Sequence, residues 1–158
     1  MRYWLMKTEP GVFSFEDLLK SPKQTTSWEG VRNYQARNLM RDDFKVGDKI
    51  LVYHSGIDQP CIAGLAEVVR GGYPDHLALD PRSKYFDPDA AKKKVTPWVM
   101  VDVRATHRFK KPVTRDQLKA EKKLQEMMVL RKGARLSVQP VTEPEFVVIS
   151  QLGAPEKI

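Results

Sequence analysis

The sequence predicts an α+β fold, a small mixed barrel of about five strands flanked by helices. Three observations predict it. Five short apolar runs carry strand patterning, at residues 3–6, 49–54, 62–69, 98–103 and 135–141. Capping residues open helical patterns near both ends of the chain and between the strands. The order of these segments does not alternate strand and crossover helix, so a parallel βαβ sheet is excluded. A chain of 158 residues is long enough to close a core without metal or disulfide staples. It contains no repeat, low-complexity tract or linker, and reads as one domain over 1–158.

Taken in order, residues 3–6 form the opening strand. Ser14 starts a helix, with Asp17 three residues on as its capping-box partner and Phe15, Leu18 and Leu19 at core spacing. Asn33 caps a second helix whose Ala36, Leu39 and Met40 fall at i, i+3 and i+4, leaving Arg37, Asn38 and Arg41 nearer the surface. Gly47-Asp48 turns the chain into the strand 49–54, and the strand 62–69 is expected to end at Gly71-Gly72. Pro74, Pro81, Pro88 and Pro97 make 73–97 a long loop with at most short strands. The strand 98–103 follows. Residues 114–130 are helical, with a break near 119–122 and with Ala120, Leu124, Met127 and Met128 inward. After the strand 135–141, Thr142 caps a closing helix carrying Phe146, Val147 and Ile149.

Composition narrows the function classes. The single cysteine, Cys61, forms no internal disulfide and fits a reducing compartment, cytoplasmic or, in a eukaryote, nuclear. No apolar run approaches the roughly 18 residues of a membrane span, so no membrane partner is expected. Net charge is +7, yet residues 92–135 hold 14 Lys and Arg against 4 Asp and Glu. The rest of the chain is therefore slightly acidic. A contiguous basic block is either a solvated face or a footprint for phosphate.

Several chemistries are missing. His54, His76 and His107 are widely separated, with no second ligand at metal spacing, and no metal or cofactor is expected. No glycine-rich phosphate loop or nucleophile elbow occurs. Lys7 and Glu9 share a strand face and form either an ion pair at a strand end or an acid–base pair in a pocket.

The informative segment is Trp28-Glu29-Gly30-Val31-Arg32-Asn33-Tyr34-Gln35-Ala36-Arg37-Asn38. Asn pairs with base edges, Arg binds phosphate or stacks, and Trp or Tyr stacks on a base. Trp28 alone fits a barrel-plug core residue equally well. The run resembles the signature of the EVE-domain family, a branch of the PUA-like superfamily. Lys7-Thr8-Glu9-Pro10, Gly47-Asp48, Tyr53-His54-Ser55, Tyr73-Pro74-Asp75 and Arg135-Leu136-Ser137-Val138-Gln139-Pro140-Val141 follow the family's order and extend the resemblance over nearly the whole chain.

The resemblance implies a PUA-like barrel related to YTH and ASCH domains, with an aromatic-walled cleft for a flipped, modified base. YTH domains read methylated adenine in RNA, and EVE domains are associated with modified cytosine in DNA. Carried over by motif, the cleft is lined by Trp28, Arg32, Asn33 and Tyr34, by Tyr53, His54 and Ser55, by Ser137 and Gln139, and by Lys7. Arg37, Lys110, Lys111 and Arg135 are expected on the nucleic-acid backbone. The expected partner is DNA or RNA with a modified base, and any cleavage requires a protein partner. The alternatives are an ASCH-like amidohydrolase using Lys7, Glu9 and the Thr8 or Ser55 hydroxyl, and a binder of free nucleosides.

Overall fold

The computed structural model describes residues 1–158 and contains seven strands in one sheet. The strands are β1 (Tyr3–Thr8), β2 (Thr25–Trp28), β3 (Lys49–His54), β4 (Cys61–Pro74), β5 (Val99–Thr114), β6 (Val138–Val141) and β7 (Pro155–Lys157). Their order is β2-β5-β4-β3-β1-β6, with β7 added beside β5. Only β1 and β3 run parallel. The end strands β2 and β6 do not pair with each other, so the barrel is open along one seam.

Helices α1 (Phe15–Lys20), α2 (Tyr34–Asn38), α3 (Pro88–Lys93), α4 (Arg115–Ala120) and α5 (Glu143–Gly153) flank the sheet. None is long and apolar enough to cross a membrane. The expected caps form: Ser14–Asp17 and Thr142–Glu145 are capping boxes, Thr114–Gln117 is a third, and Asn33 caps α2. Each satisfies backbone N–H groups that a helix start leaves without partners.

Strand alternation divides the buried side chains into two cores. Trp4 and Met6 of β1 join Ile50, Val52, Val101 and Val103 in the larger one. Leu5, Leu51 and Tyr53 face the other way and pack with Leu118, Leu124, Met127 and Ile149. The buried Asp48 carboxylate ties the turn into β3, accepting from Trp4 Nε1 at 3.0 Å, Lys45 N at 3.0 Å and Arg2 N at 3.1 Å.

Five expectations need correction. Gly71-Gly72 does not end its strand, because β4 runs on to Pro74. The glycine instead lets backbone approach: a Cβ on Gly72 would lie 2.8 Å from the Met40 carbonyl oxygen. The strand expected at 98–103 is β5, which reaches Thr114, with Pro112 inside a register irregularity where no ladder donor is required. Of the loop expected at 73–97, Tyr73 and Pro74 belong to β4, and the remainder holds the helical turn His76–Leu79 and α3, with Pro88 in the first turn of α3 behind the Asp87 cap. Ala120 is exposed because α4 stops there and Glu121 turns extended. The last strand begins at Val138, three residues later than expected.

Candidate functional site

The open seam of the barrel is a cleft of about 440 Å³. Small-ligand sites span about 300–1,000 Å³, and the size fits. One wall is the end of β1 and the turn after it, with Lys7, Thr8, Glu9, Val12 and Phe13. Thr26, Ser27 and Trp28 of edge strand β2 form another, continuing through residues 29–33, and Lys84, Tyr85 and Ser137 complete the lining.

Trp28 is 8% exposed and belongs to the larger core. Its indole differs from the other two. Trp4 Nε1 donates to Asp48 at 3.0 Å and Trp98 Nε1 to Asp87 at 2.9 Å, each to a carboxylate. Trp28 Nε1 has no acceptor, yet Ser150 Oγ is the only buried side-chain polar atom left unpaired. The Trp28 N–H is therefore accessible, on a side chain that lines the cleft. Trp28 fills the core and presents a donor edge.

Arg32 is committed to structure. Its Nη1 donates to Asp75 Oδ2 at 2.9 Å and to the Val31 carbonyl at 3.0 Å, and its Nη2 donates to the Tyr85 carbonyl at 2.9 Å. The guanidinium lies 5.5 Å from the Tyr85 ring centroid and 5.4 Å from that of Trp98. Asp75 is fully buried. Arg32 thus holds the loop that supplies Tyr85, and its charge is spent on Asp75 and not left for phosphate. Gly30, at φ +80°, completes this seat, since a Cβ there would penetrate the Tyr85 ring.

Asn33 lines the cleft, but its Oδ1 accepts from Ala36 N at 3.0 Å to cap α2, leaving only the amide NH₂ for a ligand. Tyr34 does not line the cleft: it is 58% exposed and packs on Trp98 with centroids 4.7 Å apart. Arg37 stands over Tyr34 and donates to the Pro97 carbonyl at 2.8 Å.

Four expected liners, Tyr53, His54, Ser55 and Gln139, lie elsewhere, each held by its own packing or hydrogen bond. Tyr53 belongs to the second core, behind Lys7, whose Nζ is 5.9 Å from its ring. His54 Nε2 accepts from Phe15 N at 3.0 Å, and burial pushes the imidazole down toward its neutral form. Gln139 is buried, with Nε2 donating to the Leu136 carbonyl at 2.8 Å. Ser55 extends the β1–β3 pairing through its N–H to the Thr8 carbonyl and is not a liner either.

Lys7 and Ser137 do line the cleft. The Lys7 amine makes one long bond, 3.4 Å to the Ala134 carbonyl, and no ion pair with Glu9 or any other carboxylate. Burial first, and the Arg115 charge second, push its pKa below the ordinary lysine value.

The basic block is dispersed by the fold. Arg104 pairs with Glu67 and Arg108 with Glu16, while Lys110 and Lys111 are exposed on β5 and do not line the cleft. Arg131, Lys132 and Arg135 are different. They line a concave groove on the turn 131–136 together with Asn33 and Gln35, and Asn33 is shared with the cleft. None of the three is in an ion pair.

Sequence reasoning missed Tyr85 and Ser27. Tyr85 sits in a proline-rich loop without periodicity, and Thr25–Trp28 carries no apolar alternation to mark β2 as a strand.

Residues 2–152 match the EVE domain family. Human thymocyte nuclear protein 1 is 40% identical over 95% of this chain and 73% of its own length. A hypothetical protein from Leishmania major, solved as a structure, is 49% identical, covering 98% of this chain and 95% of its own, with a TM-score of 0.89. The crystal structure of human THYN1 protein in complex with 5-methylcytosine-containing DNA is 40% identical, covers 99% of both chains and has a TM-score of 0.88. An ASCH protein from Zymomonas mobilis shares the fold at 9% identity and a TM-score of 0.51. By the match over residues 2–152 and these relatives, the chain belongs to the EVE domain family.

Proposed function

We propose that this chain is a non-catalytic module that binds DNA carrying a modified cytosine and holds the extruded base in the seam cleft. The observation that carries the reading is the likeness, over 99% of both chains, to a protein whose crystal structure contains 5-methylcytosine DNA. The geometry agrees with it. Tyr85 supplies aromatic surface, and the Trp28 edge, the Lys7 side chain and Ser27 and Ser137 line the same cleft as donors. Cytosine offers acceptors at N3 and O2 for such donors. Its exocyclic amine requires an acceptor, and Glu9 and Glu29 line the same cleft. Extrusion is required because a base inside the duplex cannot enter a cleft of this kind.

The groove of Arg131, Lys132 and Arg135 is the phosphate path in this reading. Each phosphate neutralised steepens the dependence of log affinity on log salt by about 0.9 for duplex DNA. Replacing all three with Gln is expected to flatten the slope measured by anisotropy titration. Lys110→Gln with Lys111→Gln is expected to leave it unchanged. The opposite result would move the path to β5, and a salt-independent affinity would favour a binder of free nucleosides.

A further inference from the structure

We propose that Lys7 is a covalent capture site, forming a reversible imine with an aldehyde-bearing nucleobase held in the cleft, so that the chain binds the formyl form of cytosine by a bond as well as by contacts. This rests on the base-cleft reading and goes beyond it.

Lys7 is placed differently from an ordinary surface lysine. It lies at the end of β1, where β1 pairs with β3 on one side and the chain leading into β6 on the other, so its backbone is fixed from both sides. The side chain is half-buried, lines the cleft and has no carboxylate partner. Its one acceptor is a carbonyl oxygen at the long distance of 3.4 Å, which leaves the nitrogen free to turn toward a ligand. An amine attacks carbonyl carbon only through its neutral form, and desolvation beside a second cation favours that form. Both causes are present at Lys7, with Arg115 as the second cation. Hydrogen bonding by Lys7 to a base does not use this property, because an ammonium is the better donor.

The step balances without an oxidant or reductant. The Nζ lone pair attacks the aldehyde carbon and the carbonyl electrons move to oxygen. The resulting carbinolamine loses that oxygen as water, with both amine protons, as the C=N bond forms. Glu9 and the Ser137 hydroxyl line the same cleft and are the groups available to relay those protons. Water reverses the reaction.

The test uses the whole chain with two duplexes identical except for one 5-formylcytosine or one 5-methylcytosine. Sodium cyanoborohydride reduces an imine to a stable amine. The expected result is a cross-linked species with the formyl duplex only, mapped by peptide mass spectrometry to Lys7, and lost in Lys7→Arg. A melting curve establishes that the variant is folded, and the mapping on the unaltered chain stands without it. An adduct on Lys84, or spread over surface lysines, would overturn the proposal. So would binding of both duplexes with no adduct, which leaves the base-reading function intact. Failure to bind either duplex would overturn that function and this proposal together.

Discussion

Trp28→Ala is expected to unfold the chain at markedly lower temperature, and not merely to weaken binding. Truncating a buried Trp removes about 3–5 kcal/mol through lost transfer energy and the cavity left behind. For a domain of this size, each kcal/mol shifts the melt by about 2–4 °C, so a fall of roughly 6–20 °C follows. Trp28 belongs to the larger core, in one cluster with Val31, Met40 and Val101. The sequence alone left open whether Trp28 was a stacking platform or a core plug, and its 8% exposure decides for the core. Trp28→Phe separates the two contributions, because it keeps most of the packing and removes the indole N–H. A variant Trp28→Ala that melts like the parent would contradict this placement.

Arg32→Ala carries the second large effect. It strands the buried Asp75 carboxylate, which keeps only the N–H groups of Leu77 at 3.0 Å and Gly30 at 3.4 Å. Removing one partner of a buried pair costs about 3–5 kcal/mol. The Arg32 side chain is 25% exposed, so the lower end applies, at about 3 kcal/mol. Replacing Asp75 with Ala in the same chain removes the stranded charge, so the double variant is expected to lose less than the two single losses combined. Arg32→Lys does not rescue, since an ammonium cannot reproduce the planar fork that serves Asp75 and the Tyr85 carbonyl together. Thermal melts of the four variants check this. An Arg32→Ala that melts normally but shows a flatter salt slope would instead make Arg32 a phosphate ligand.

The sequence displayed what local rules govern. The helix caps at Ser14, Asn33 and Thr142 and the strand at 49–54 follow from capping chemistry and from alternation, and both appear in place. Of the residues expected at the candidate cleft, Trp28, Lys7 and Ser137 do line it. Placement differed where it depended on which distant residues a side chain packs against. Tyr53 and His54 look like recognition residues in a line of text, yet one faces the second core and the other braces α1. Arg32 looked free because its partner, Asp75, lies 43 positions away. The basic block looked continuous because sequence distance says nothing about which strand or turn a lysine occupies. Edge strand β2 and the Tyr85 loop carry no periodic signal, and only the assembled sheet shows that they bound the open seam.

The most direct test of the central claim is a pair of titrations on two DNA duplexes that differ by one methyl group on a single cytosine. Burying one methyl contributes about 0.8 kcal/mol, which is roughly 4-fold in affinity. Close contact with Trp28 and Tyr85 adds dispersion, and the expected preference is roughly 4- to 30-fold for the methylated duplex. A larger ratio would mean that the plain base leaves a polar group of the cleft unpaired. Equal affinities for the methylated and plain duplexes would contradict the account, because the cleft would then not read the modification.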